Sequence, residues 1–276
     1  MSMREITIEE KDEINRVFEE VIKDIDLGFD PDVLKILDNP EASESQRQEI
    51  VKKVNPEIIA RLISLASSAY MGNISRGKVA TFVKAIERLG NIYVKVFVIC
   101  FSLLILAKDE KSKSILVEGF LAAAVGKLLA EQLGRAKESI QEIEIACLLM
   151  RVGTVLMYLH EKNSSEVLPE YFIARCHWAM TMKFVEKFEL PEIIGDIVYK
   201  IFGQNCLDYG EKAISNAGII MMAFATIRHI VSLDGHLVVS SPMPEPGDEL
   251  AFTPGNAISK YMRSIGLSQY LEILKK

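Results

Sequence analysis

The chain has 276 residues, of which 49% are hydrophobic and 25% charged, and its net charge is −6. That apolar share excludes a disordered chain and fits one large or two ordinary domains. Its 32 basic residues are spread along the chain among 38 acidic ones, so no basic stripe forms and nucleic-acid binding by phosphate neutralisation is disfavoured. Cys100, Cys147, Cys176 and Cys206 show no metal-ligand or redox-motif spacing, which places the protein in a reducing, cytoplasmic compartment. The N-terminus, MSMREITIEEKDE, is acidic and lacks the apolar core of a signal peptide. The longest apolar run, Val96 to Ala107, has 12 residues, too few to span a bilayer, and reads as a buried core helix.

In chain order, Thr7 and Glu10 form a capping box ahead of Ile14, Val17, Phe18, Val21, Ile22 and Ile25, which predicts an amphipathic helix over about 8–27. Gly28 stops it, and Pro31 opens a short helix through Leu37. Ser43 and Gln46 start the next. Asn55-Pro56 gives a cap and a first-turn proline to a helix with Ile58, Ile59, Leu62, Ile63 and Ala66 on its inner face. A helix over about 77–89 ends at Gly90, and Asn91 caps the apolar helix to Ala107. Lys108 to Lys113 reads as a charged connector, and the small residues of Ile115 to Leu133 predict a helix that neighbours approach closely.

Ile143 to His160 is nearly all apolar, with Glu144, Arg151 and His160 as its charged residues and histidine. The pattern predicts one helix buried on every face, begun by Ser139 and Glu142, with Arg151 at its middle. A charge buried there requires an acidic or carbonyl partner. A helix carrying His177 and Trp178 follows, ending near Phe188, and another runs from Leu190-Pro191-Glu192 through Phe202. Asp208 and Glu211 cap a long helix to about Leu233. Residues 235–255, with four prolines, predict an extended loop with a short strand at Leu237–Val239. Short helices around 257–265 and 269–274 close the chain. The fold class is all-α.

Three segments resemble the HDOD domain, a relative of the HD phosphohydrolases: NPEIIARLISLASSAYMG (Asn55–Gly72), AIERLG (Ala85–Gly90) and HWAMTMKFVEKFELPE (His177–Glu192). The resemblance covers about residues 30–205, with Ser67 where the family usually has Asn. It implies two packed helical lobes, a multi-helical HDOD/HD-like arrangement. The expected division is an N-terminal helix (1–29), an HDOD-type helical subdomain (30–108), a degenerate HD-like bundle (112–234), and a Pro-rich loop with C-terminal helices (235–276).

The resemblance also implies where an HD metal site would lie, and the residues there depart from it. The His-Asp-(Ile/Val)-Gly segment of HD relatives falls on Met150-Arg151-Val152-Gly153, the upstream histidine falls at or beside Glu118, and His177 alone matches a family histidine. A hydrolytic metal needs about three N or O ligands and an open position. Glu118, Met150, Arg151 and His177 are therefore vestigial-site candidates, with no catalytic residue, metal or cofactor expected. Glu118 and Arg151 read as a structural ion pair in the vacated position or as an anion site, and Arg175 is a second candidate for a phosphate. His177 reads as a surviving ligand or as a half-buried histidine bonded to a backbone carbonyl. Trp178, Phe184 and Phe188 read as core, and His160 and His236 as surface residues.

The function the resemblance implies is a non-catalytic, cytoplasmic module of bacterial signal transduction. It would act through a protein partner, including a second copy of itself, or through a small ligand, with no nucleic-acid or membrane partner. The alternative is a metal-dependent phosphohydrolase with substituted ligands such as Glu118, Glu144 and His177.

Overall fold

The computed structural model describes residues 6–68, 79–202, 215–227, 230–233, 236–239 and 255–269. The first half of the chain forms α1 (Ile8–Asp24), α2 (Asp32–Asp38), α3 (Glu44–Lys53), α4 (Pro56–Ser67), α5 (Phe82–Leu89) and α6 (Asn91–Leu106). The second half forms α7 (Glu110–Gln132), α8 (Lys137–Leu149), α9 (Val152–Ser164), α10 (Glu170–Lys187), α11 (Glu192–Phe202), α12 (Asn216–Ile227) and α13 (Gly255–Ser264). A hairpin of β1 (Ile230–Leu233) and β2 (His236–Val239) separates the last two helices. The chain divides into two units, one made of Met1–Ile25 with Ala107–Ala225, the other of Asp26–Leu106 with Thr226–Lys276. Helix α1, read from the sequence as a segment of its own, thus belongs with the second half of the chain.

In the second unit, α2, α4 and α5 pack on α6, whose residues from Tyr93 to Leu104 are all buried. Tyr93, Phe97 and Phe101 stack along it at centroid spacings of 5.0 and 5.5 Å, as i, i+4 neighbours on one helix face do. Lys95 is buried on the same helix and binds both carboxylate oxygens of Asp38 at the end of α2, at 2.7 and 2.6 Å. Asn55 caps α4 by accepting from the Glu57 N–H, with Pro56 in the first turn. The Ser67 hydroxyl, which stands where the family usually has Asn, accepts from the Val79 N–H at 3.1 Å and donates to the Val79 carbonyl at 3.3 Å. Arg61 donates to the carbonyls of Ile265 and Gly266, which follow α13.

In the first unit, α7 lies against α8 with little room between backbones. A Cβ on Gly119 would sit 3.2 Å from the Leu148 carbonyl, and one on Gly126 would sit 3.0 Å from the Ile143 side chain. Helix α9 packs on α10, and α1 packs on both.

Five expected elements change, the first being the helix over about 77–89, which begins at Phe82 with Thr81 as its cap. The single helix through Ile143–His160 is two, α8 and α9, broken at Met150-Arg151 where Arg151 has φ −113° and ψ 13°. Its start is Lys137, with no side-chain cap at Ala136, so Ser139 and Glu142 do not begin it. The charged connector is shorter than expected, because Asp109 caps α7 through the Ser112 N–H at 2.7 Å and residues 110–113 form its first turn. The long helix to Leu233 ends at Ile227, and Ile230–Leu233 is a strand instead. Its backbone pairs Ile230 with Val239 and Val231 with Val238 of the strand expected near 237–239, and these residue types favour a strand once a partner strand is present. Asp208, Glu211, Cys206, the Pro-rich segment 241–254 and, from residue 270 on, the last expected helix lie outside the described residues.

Candidate functional site

Three elements of the first unit carry the four candidate residues named from the resemblance: α7 carries Glu118, the α8–α9 break carries Met150 and Arg151, and α10 carries His177. The close α7–α8 approach at Gly119 puts Glu118 beside the end of α8. Arg151 Nη1 donates to Glu118 Oε2 at 2.5 Å. The pair is less buried than the all-apolar pattern around Arg151 suggested, since the two side chains are 33% and 37% exposed. The break explains this: it turns Arg151 out of the apolar stretch, while Met150 goes into the core.

The start of α9 is fixed against α10 by Gly153. Its N–H donates to Thr181 Oγ1 at 2.9 Å, and that hydroxyl donates to the His177 carbonyl at 3.1 Å. A Cβ on Gly153 would stand 1.9 Å from the same carbonyl, so only glycine fits this approach without displacement. The His177 ring meets Phe202 of α11 edge-on at 4.6 Å. Its Nδ1 is buried with no hydrogen-bond partner among the described residues, so this nitrogen does not make the expected bond to a backbone carbonyl. Burial, and secondly the Arg151 guanidinium, push the His177 pKa down to about 4. The ring is therefore neutral at physiological pH. Trp178 leans on Tyr199 of α11 at 6.1 Å, and Phe184 packs on Phe188 at 4.5 Å. Arg175 lies with its Nε 2.9 Å from Glu10 of α1.

As a donor set for a metal, the HD-position residues offer one carboxylate, already bound to a guanidinium, and one imidazole. Met150 supplies no ligand of the required kind. Glu144 is buried in α8.

Sequence reasoning missed a second cluster, at the other end of α9. His160 is 2% exposed rather than on the surface, and Glu20, Glu166 and Arg16 surround it. Among the described residues, Glu20, His160 and Glu166 are the one group of side chains placed to share a cation. The Glu13–Arg16–Glu20 spacing within α1 and the six-residue step from His160 to Glu166 were local signals; the contacts that join α1 to His160 and Glu166 span 140 to 150 residues.

No curated protein matches the chain. A solved structure from Shewanella amazonensis, named a "putative metal-dependent phosphohydrolase", is similar with a TM-score of 0.57 at 16% identity, over 95% of this chain and 99% of that one. An HDOD domain protein of unknown function from Geobacter sulfurreducens is similar with a TM-score of 0.49 at 14% identity, over 95% of each chain. The first shows that the fold is shared. The model of the HDOD domain matches residues 31–186, which span the α4 and α5 motifs, the Arg151 break and His177. With more than half of its length matched, this chain belongs to the HDOD family.

Proposed function

We propose that the protein is a non-catalytic regulatory module of bacterial signal transduction, working in the cytoplasm through a protein partner, a second copy of itself or a small ligand. The observation that supports this reading is the Arg151–Glu118 ion pair, which joins two of the residues that the HDOD resemblance sets in place of HD metal ligands. A guanidinium there supplies the positive charge that a metal would supply, and its bond to Glu118 removes the carboxylate from a ligand set. Met150 faces the core and leaves the set short of the three ligands a hydrolytic metal needs.

One observation favours a phosphohydrolase with substituted ligands: His177 is neutral with a bare Nδ1, the form of imidazole that binds metal. The experiment that separates the readings is hydrolysis of nucleoside phosphates and cyclic dinucleotides by the purified protein. The regulatory reading expects no turnover with Mn2+, Mg2+, Fe2+ or Zn2+ added. Turnover that a chelator abolishes, and that His177→Gln also abolishes, would establish the phosphohydrolase instead.

A further inference from the structure

We infer that His160, between Glu20 and Glu166, is a proton-operated clasp: two protons on its ring fasten the last turns of α1 to α9, and loss of one loosens them. His160 is 2% exposed near the end of α9, and each ring nitrogen meets a carboxylate from a different segment. Nε2 lies 3.1 Å from Glu166 Oε2, in the connection to α10. Nδ1 lies 3.7 Å from Glu20 Oε2, in α1. An imidazolium donates from both nitrogens, whereas a neutral ring has one N–H and one lone pair. With its one proton on Nε2, the neutral ring keeps Glu166, and its Nδ1 lone pair faces a carboxylate oxygen of α1. The other tautomer keeps Glu20 and sets the lone pair against Glu166. The Ser164 hydroxyl, 3.3 Å from Nε2, does not relieve that, because it donates to the His160 carbonyl at 2.8 Å. Holding both segments at once therefore takes the second proton.

The charges around the ring fit this role. Glu13, Glu20 and Glu166 share one guanidinium, that of Arg16, at 2.6, 3.1 and 2.8 Å. One cation for three carboxylates leaves negative charge over, which an imidazolium balances and a neutral ring does not. The bonds from Arg16 and then from His160 hold the Glu166 carboxyl below its ordinary range, and the Arg16 bond does the same for Glu13. These acids stay ionised while an imidazole titrates, since histidine is the side chain whose ordinary charge change falls between about pH 5 and 8. The other helices packed on α9 send their cations elsewhere. Lys183 of α10 lies over the Phe18 ring at 5.5 Å, Arg175 of α10 lies beside Glu10 at 2.9 Å, and Lys111 of α7 lies over the Tyr158 ring at 3.9 Å. The clasp is graded rather than all-or-none. Arg16 bonds to Glu166 and the buried Ile14, Val17, Phe18 and Val21 hold α1 in either state, so the proton sets how readily its last turns open.

The test is amide hydrogen exchange of the full chain from about pH 6 to 9, corrected for the intrinsic pH dependence of exchange, with the His160 ring nitrogens followed by NMR. Protection of residues 18–24, relative to α7, should fall by about three- to tenfold as pH rises. The ring should carry protons on both nitrogens at the low end and on one at the high end. Glu20→Gln changes an exposed residue and should abolish the gradient, because an amide accepts from an Nδ1–H or donates to its lone pair equally well. His177→Gln should leave the gradient in place, which separates it from the acid titration of that buried ring. Protection of α1 that is flat across the range would overturn the clasp. So would a His160 ring with an unchanged proton count, or a gradient that survives Glu20→Gln. The wild-type titration alone is enough to refute it, whatever the variants do.

Discussion

Gly153 is the residue whose replacement the structure constrains most. Because a Cβ there would lie 1.9 Å from the His177 carbonyl, Gly153→Ala must push α9 off α10, at a cost of about 3 kcal/mol in urea unfolding. The Glu118–Arg151 pair should behave more mildly. Both side chains are about one-third exposed, so a double-mutant cycle on Glu118→Gln and Arg151→Met should return a coupling of about 0.5–1 kcal/mol, well below that of a buried pair. For His177 the direction follows from its depressed pKa. The unfolded chain takes up a proton below the ordinary value of 6.5, whereas the folded chain resists until about 4. Stability is therefore full above pH 6.5 and falls as pH drops towards 4, by at most about 3 kcal/mol. Melts of the wild type across that window should show the slope, and His177→Gln should flatten it. The sequence carried the identity of these residues through the family pattern and the need of Arg151 for an acid. It could not show their depth, because exposure depends on a backbone break that an uninterrupted apolar run conceals.

At the scale of elements, legibility follows the range of the interaction. Thr7 with Glu10, Ser43 with Gln46 and Asn55 with Pro56 all make the caps their sequence predicts, since each bond spans three residues or fewer. The β1–β2 hairpin and the place of α1 depend on partners that no local pattern names. The Lys137–Ser164 stretch is long and apolar enough to cross a membrane, yet 89% of its apolar window is buried within the fold, which accounts for its composition. Buried Lys95 in α6 was likewise hidden inside an apolar run. Its bond to Asp38 ties α2 to α6, so Asp38→Ala should cost about 2 kcal/mol by thermal or urea unfolding, and adding Lys95→Met should recover part of the loss.

At the scale of the whole molecule, neither unit is continuous in sequence. The α1 face formed by Ile14, Val17, Phe18 and Val21 is buried, and the helices it covers, α9 and α10, lie more than a hundred residues downstream. Deleting residues 1–25 should therefore expose apolar surface on α9 and α10 and bring dye binding and aggregation, measured against the full chain. The same interruption sets a schedule for synthesis. Residues 26–187 must be made before α9 and α10 are complete, and a ribosome adding about 5–20 residues per second takes roughly 8–32 s to make them. For that interval α1 is a finished amphipathic helix with nothing to cover it. Early binding by a chaperone, or a delay in helix formation until α9 and α10 emerge, is then a requirement of the topology itself.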